Sequence, residues 1–263
     1  MTTFENDGVT LAFDDNGASG TPSFVFVHGW TCNRSFFAPQ YDHFGRDHRA
    51  VALDLRGHGD STPAKDGDYA ITTFAHDVAA LIEHLGIGPA VVVGHSLGGV
   101  ITCALSAARP DLVAAAILVD PAPFVVSPEF RAVIESVFGQ INSPDGESTR
   151  AAIVNTMFMV TDDAERRASI VETMAATPQE IAAPAIGGLL RFDGPAALAA
   201  VKCPIASIGS DAPVNDAVLM KECNPNILIG QTLGAGHFNQ LEVPDQVNDM
   251  IGHFLAINGL VKR

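Results

Sequence analysis

The chain has 263 residues, which suits one large core and is somewhat short for two ordinary domains. Hydrophobic residues make up 47% of it and charged residues only 17%, a balance that excludes a disordered chain. The formal net charge of −15 argues against nucleic-acid or anionic-membrane partners, because both bind basic surfaces.

The first half of the chain alternates short β-branched runs with helical patterns. Strands are predicted over residues 9–13, 23–27, 49–55, 90–93 and 114–119. Helices are predicted over residues 72–85 and 97–108, where apolar residues recur at helical spacing. This alternation indicates a mainly parallel sheet with helices on both faces.

The pattern changes after the strand that ends at Val119. Between residues 124 and 200 only helical periodicities occur, separated by proline and glycine. Strand patterns resume over residues 204–208 and 226–229, and an amphipathic helix is predicted over residues 245–257. We therefore predict a doubly wound α/β core domain, residues 1–123 and 201–263, interrupted by a helical cap insertion at residues 124–200.

The sequence shows no targeting or metal-binding motif, so we expect a cytoplasmic protein without a metal. The N-terminal segment lacks the basic and apolar regions of a signal peptide, and no run approaches the roughly 20 apolar residues of a membrane span. The four cysteines form no CxxC pair and are expected to be reduced apolar fillers. The histidines show no HExxH or clustered spacing, so neither a metal nor another cofactor is expected. The sequence implies no particular oligomeric state.

A G-x-S-x-G motif spans residues 94–98, with four strand residues before it and an apolar helix directly after it. This context predicts a tight strand-to-helix turn with Ser96 in a strained conformation. Small residues at Gly94 and Gly98 would allow the neighbouring backbone to approach closely. The hydroxyl would then lie at a helix N-terminus, where peptide dipoles stabilise an oxyanion. Ser96 is therefore the candidate nucleophile.

The loop after the strand at residues 23–27 offers a second group for this chemistry. It can place the backbone N–H of Trp30 opposite that of Leu97, so that the two form an oxyanion hole. His28 is expected to bond to backbone beside the pocket. After the next strand, Asp54 and Arg56 are predicted to fix their glycine-rich loop by hydrogen bonds and charge pairing.

His237 is the candidate base among nine histidines, because it follows the last strand on a loop with flexible glycines. The base needs a carboxylate to hold its tautomer. Two strand ends offer one, Asp120 and Asp211. Either would preserve the chain order serine, aspartate, histidine.

Four motifs carry a family resemblance: HGW at residues 28–30, D-x-R-G-H-G-x-S at 54–61, G-H-S-L-G-G at 94–99 and G-A-G-H-F at 234–238. Together they resemble the α/β-hydrolase superfamily. The resemblance implies an eight-stranded sheet with a helical cap after strand 6, Ser96 as nucleophile, His237 as base, and Trp30 and Leu97 as oxyanion donors. Many members carry the acid at the position of Ala212 here.

Other members of that superfamily carry the acid one strand earlier, roughly where Asp120 falls. The resemblance therefore favours Asp120 over Asp211 as the triad acid.

The expected reaction is two-step acyl transfer from a small, largely apolar ester or lactone, with no cofactor. The residues expected to line its pocket are His28, Phe124, Phe138, Met157, Phe158 and Phe238. The alternative is another reaction on the same residues: C–C bond hydrolysis, thioester hydrolysis or cofactor-independent dioxygenation. A binding protein without catalysis is disfavoured because both Ser96 and His237 are present.

Overall fold

The structure is a computed structural model that describes residues 2–262. Its strands are β1 (Thr2–Asn6), β2 (Val9–Asp15), β3 (Phe24–Val27), β4 (Ala50–Leu53), β5 (Ala90–His95), β6 (Val113–Val119), β7 (Ile205–Gly209) and β8 (Leu228–Gln231). They form one sheet in the order β1-β2-β4-β3-β5-β6-β7-β8. Strands β3 to β8 pair in parallel, whereas β2 is antiparallel to both β1 and β4. The predicted mainly parallel, eight-stranded α/β sheet is confirmed.

Helices connect these strands. They are α1 (Ala38–Phe44), α2 (Ile71–Leu85), α3 (Leu97–Ala108), α4 (Pro128–Gly139), α5 (Gly146–Asn155), α6 (Ala164–Ala176), α7 (Gln179–Arg191), α8 (Gly194–Ala200), α9 (Ala217–Cys223), α10 (Asn239–Glu242) and α11 (Pro244–Ile257). Helices α4 to α8 follow β6 and precede β7. Of the helices described, none combines the length and apolar character that a membrane crossing requires.

The central strands are buried on both faces, because helices cover the sheet on each side. All residues of β3, β4 and β5 are buried. Val92 packs into the core that contains α2 and α3, whereas Val91 and Val93 pack into the core that contains α11. Successive side chains point to opposite faces of a strand, so a continuous valine run fills both cores.

Four of the strands and α-helices outside residues 124–200 were not predicted, and each has a weak sequence signal. Strand β1 lies at the edge of the sheet with exposed side chains, so it lacks an apolar pattern. Helices α1, α9 and α10 have seven, seven and four residues, too few to show a helical period. The last strand begins two residues later than predicted, at Leu228. The division into core and cap domains stays a prediction.

Candidate active site

Ser96 lies at the turn between β5 and α3, where the sequence places it. Its backbone has φ 53° and ψ −118°, a conformation that costs energy for a residue with a side chain. The N–H of Ser96 donates to the carbonyl of Val119 on β6 at 3.1 Å, which holds the turn against the neighbouring strand. Ser96 occupies the N-cap position of α3, yet its hydroxyl does not cap the helix. The oxygen is therefore free for another partner.

The glycines on either side of this turn are needed for the close approach of other backbone. A Cβ at Gly94 would lie 2.1 Å from the carbonyl oxygen of Gly98. A Cβ at Gly98 would lie 2.0 Å from the carbonyl oxygen of Val27, which belongs to β3. Both distances are far below van der Waals contact, so the predicted need for small flanking residues is confirmed.

His237 and Asp120 are in direct contact. Nδ1 of His237 lies 2.6 Å from Oδ2 of Asp120, and Oδ1 of the same carboxylate accepts the N–H of Ser210 at 2.7 Å. The Asp120 side chain is 4% exposed, and its backbone has φ 35° at the end of β6. An acceptor at Nδ1 places the imidazole proton there and leaves Nε2 as the free nitrogen.

Asp211 lies beside this pair but does not contact the imidazole. It is exposed, its N–H donates to the carbonyl of Ala235 at 3.0 Å, and its Oδ1 accepts the N–H of Gly234 at 3.4 Å. Of the two candidate carboxylates, Asp120 is therefore the one in position to orient His237.

The two predicted oxyanion donors border the same cavity as Ser96. Leu97 is the first residue of α3, so its N–H has no acceptor within the helix. Trp30 is fixed by its side chain, whose indole Nε1–H donates to the carbonyl of Ala182 in α7 at 2.8 Å. The loop that carries Trp30 is therefore tied to a helix of the segment between β6 and β7.

Further along that loop, Arg34 connects it to the glycine-rich loop after β4. The N–H of Arg34 donates to Oδ1 of Asp54 at 2.7 Å, and its guanidinium pairs with the same carboxylate. Arg56 pairs with the buried Asp77 at 2.6 Å. The predicted scaffold role of Asp54 and Arg56 is confirmed.

A cavity of about 450 Å³ adjoins Ser96, Asp120 and His237. Most of its wall is apolar and comes from α4, from residues 157–159 and from α7. These wall residues include Phe130, Val133, Ile134, Val137, Phe138, Met157, Phe158, Met159, Ile186 and Leu189. Three of the side chains predicted for the pocket, Phe138, Met157 and Phe158, are among them. The titratable residues of the wall, Asp120 and His237, are the hydrogen-bonded pair described above.

The other three residues predicted to line the pocket do not line this cavity, so that prediction is wrong for them. The expected bond of His28 to backbone is confirmed. His28 is fully buried, with Nδ1–H donating to the carbonyl of Gly29 at 2.8 Å and Nε2 accepting the N–H of Leu55 at 3.0 Å. Burial lowers its pKa to about 4. Phe124 and Phe238 are buried in the core behind the wall. Sequence patterns identify apolar residues here but not the direction in which they point.

Sequence reasoning also missed residues around His237. His95, the second residue of the serine motif, is fully buried, and its Nε2–H donates to the carbonyl of His237 at 2.8 Å. Burial lowers the pKa of His95 well below its ordinary value. Asp162 is buried and accepts the N–H of Gly236, the residue that precedes His237. No local signal marks either contact, because the partners lie 142 and 74 positions apart in the chain.

This arrangement of fold and site agrees with the comparison to known families. The family model for the alpha/beta hydrolase fold matches residues 22–187, which is more than half of the chain. The chain belongs to this family, and the resemblance drawn from its motifs is confirmed.

Individual relatives match only part of the chain or share little sequence identity with it. The bifunctional esterase/perhydrolase DCH of Acinetobacter calcoaceticus is 40% identical over 119 residues, 44% of this chain and 43% of that protein. Lipase LipV of Mycobacterium tuberculosis is 33% identical over 162 residues, 62% of this chain and 61% of that protein. The chain thus matches less than two thirds of the length of these curated relatives. A thermophilic esterase from Thermogutta terrifontis superimposes with a TM-score of 0.81 at 26% identity, over 97% of this chain and 96% of that one.

Proposed function

We propose that the protein is a serine hydrolase that cleaves a carboxylic ester or lactone of a small, largely apolar substrate. The observation that carries this proposal is the hydrogen-bonded pair of His237 and Asp120, which shares a largely apolar cavity with Ser96. The names of the relatives, an esterase/perhydrolase, a lipase and an esterase, support the same class of reaction.

In the proposed first step, Nε2 of His237 takes the proton of Ser96 as the serine oxygen attacks the substrate carbonyl. The N–H groups of Trp30 and Leu97 stabilise the oxyanion that forms, and Asp120 stabilises the imidazolium. His237 then gives its proton to the leaving alcohol, and the acyl group stays on Ser96. Water, activated by His237, attacks the acyl-enzyme, releases the acid and restores the serine.

The cavity supports an apolar acyl group as the part of the substrate that the enzyme recognises. Apolar side chains from three segments converge on it, and a volume of about 450 Å³ fits a small molecule. Each methylene that moves from water into this wall contributes about 0.8 kcal/mol, which corresponds to roughly fourfold in kcat/KM. We expect kcat/KM to rise by this step per carbon until the cavity is filled.

The test is hydrolysis of p-nitrophenyl esters from acetate to octanoate by wild type, Ser96→Ala and Ser148→Ala. Ser148 is an exposed serine on α5, so its variant is the matched control for removing a hydroxyl. We expect turnover by wild type and Ser148→Ala, and loss of more than a thousandfold in Ser96→Ala. His237→Ala lacks the base for deacylation, so an acyl group left on Ser96 by the activated p-nitrophenyl ester in this variant would identify the covalent intermediate.

A wild type that hydrolyses none of these esters would contradict the proposal. C–C bond cleavage, thioester hydrolysis and cofactor-independent oxygenation would then be tested on the same residues. A cytoplasmic location, and the expectation that neither nucleic acid nor membrane is a partner, stay predictions.

A further inference from the structure

The peptide of His237 is held from both sides. Its N–H donates to the carbonyl of Met157 at 2.8 Å, and its carbonyl accepts Nε2–H of His95 at 2.8 Å. Met157 belongs to the connection between α5 and α6, whereas His95 ends β5 at the serine turn. The position of the base therefore depends on one group from the sheet and on one from the segment between β6 and β7.

A buried carboxylate strengthens the second of these attachments. Oδ2 of Asp162 accepts the N–H of Met159 at 2.8 Å and closes the turn over residues 159–162. Oδ1 of the same side chain accepts the N–H of Gly236 at 3.3 Å. Bonds to a charged acceptor are stronger than bonds between neutral groups, and burial excludes competing water. Asp162 thus joins the turn to the residue directly before His237.

The two segments are in backbone contact at Gly236. A Cβ at this position would lie 2.6 Å from the carbonyl oxygen of Met157 and 2.7 Å from Oδ2 of Asp162. Neither atom belongs to a long flexible side chain that could move aside. The close fit means that a displacement of residues 157–162 also displaces His237.

We propose that Asp162 is a positioning residue for His237, and that it couples the cavity wall at residues 157–159 to the catalytic base. This inference rests on the proposed hydrolase function. Residues 157–159, at the start of the same segment, border the cavity that would receive the acyl group. The contacts of the acyl group therefore affect the orientation of the imidazole as well as the affinity for substrate.

The expected effect follows from the sensitivity of proton transfer to geometry. A displacement of a reacting group by about 1 Å costs on the order of a hundredfold in rate. Asp162→Ala removes the hydrogen bonds to the N–H groups of Met159 and Gly236 without changing the side chain of Ser96, His237 or Asp120. We expect kcat to fall by about ten- to a hundredfold, with KM within about threefold of wild type, because the apolar wall stays. Asp162→Asn keeps one acceptor oxygen and should recover part of this loss.

The matched control is Arg166→Ala. Arg166 on α6 pairs with Glu242 on α10 at 2.7 Å, so it forms a second attachment of the same segment to the core without contacting residues 236–237. We expect Arg166→Ala to keep kcat within about twofold of wild type. Steady-state kinetics on p-nitrophenyl butyrate would be combined with hydrogen–deuterium exchange of the peptide that covers residues 234–238. Exchange there should accelerate in Asp162→Ala and stay unchanged in Arg166→Ala.

Wild-type kcat in Asp162→Ala would overturn the proposal, and so would an equal loss of kcat in both variants. Unchanged exchange at residues 234–238 in Asp162→Ala would overturn it as well. A wild type inactive on every ester would contradict the hydrolase function by itself. The exchange comparison would then still decide whether Asp162 holds the loop of His237.

Discussion

Replacement of Asp120 by asparagine tests the proposed triad at the bond that fixes the imidazole. The carboxylate accepts from His237 with one oxygen and from the N–H of Ser210 with the other. Asparagine has one oxygen, and the N–H of Ser210 is buried and needs it. The NH2 group of the substituted side chain would then face Nδ1 of His237. That nitrogen would have to accept, and the imidazole proton would move to Nε2, where it blocks removal of the serine proton.

The size of the loss follows from this tautomer. We expect kcat to fall by about 10³–10⁴-fold, which corresponds to roughly 4–5.5 kcal/mol of transition-state stabilisation. A flipped amide would restore an acceptor for His237 but would leave the buried N–H of Ser210 unpaired, at a cost of about 1–3 kcal/mol. The flip therefore offsets only part of the loss. Affinity for substrate should change little, because the apolar wall of the cavity is unaltered.

The assay is steady-state hydrolysis of a p-nitrophenyl ester, with thermal unfolding of each variant to exclude global damage. Asp211→Asn is the control, since Asp211 is an exposed carboxylate at the neighbouring strand end and does not contact His237. We expect it to keep kcat within about threefold, as is usual for surface changes. Activity of Asp120→Asn within tenfold of wild type, or a greater loss in Asp211→Asn, would refute the assignment.

Three further predictions concern packing and pH. Gly236→Ala should lower kcat at least tenfold and reduce Tm, since its methyl group would lie 2.6 Å from the Met157 carbonyl oxygen; unchanged kinetics and Tm would contradict the close approach. Gly252→Ala, inside α11 with nothing within 4 Å of the added methyl, should raise the free energy of unfolding by about 0.5–1 kcal/mol. Urea titration measures this change, and a decrease would contradict the prediction. His28, with its pKa lowered to about 4 by burial, stays neutral in the folded protein while the unfolded chain takes up a proton below about pH 6.5. Its contribution to stability is complete well above pH 6.5 and is lost towards pH 4, by about 1.6 kcal/mol between pH 6.5 and 5. Urea titrations at both pH values should show a smaller loss for His28→Gln, whose amide can still accept from the N–H of Leu55, and an equal loss would exclude His28 as the cause.

The serine turn could be predicted from sequence because its signal is local. A buried strand, a G-x-S-x-G motif and an apolar helix follow one another without a gap, and the structure has them at β5, Ser96 and α3. The chain order of strands and helices could be predicted for the same reason. Short or exposed elements such as β1 and α9 were missed, because sheet pairing and neighbouring helices stabilise them rather than their own pattern.

The choice between Asp120 and Asp211 could not be made from residue patterns alone. Both follow adjacent parallel strands, β6 and β7, and both precede His237 in the chain. The decision lies in backbone geometry: the positive φ of Asp120 accompanies a carboxylate aimed at His237, whereas Asp211 points to the loop at Gly234. The prediction of pocket-lining residues failed for the same reason. Phe138 faces the cavity and Phe238 faces the core, although both are equally apolar.

The three proposed triad residues differ in how firmly the fold holds them. Ser96 and Asp120 directly follow β5 and β6, two buried central strands, so their positions are set by the sheet. His237 instead follows β8, an exposed edge strand, after a five-residue connection. A proposed base on such a loop needs support from other segments. His95 supports His237 on one side, and residues 157–162 support it on the other. Exchanging the segment between β6 and β7 for a different helical segment would therefore also change the support of His237. A chimera that replaces this segment should lose kcat unless it keeps residues 157–162.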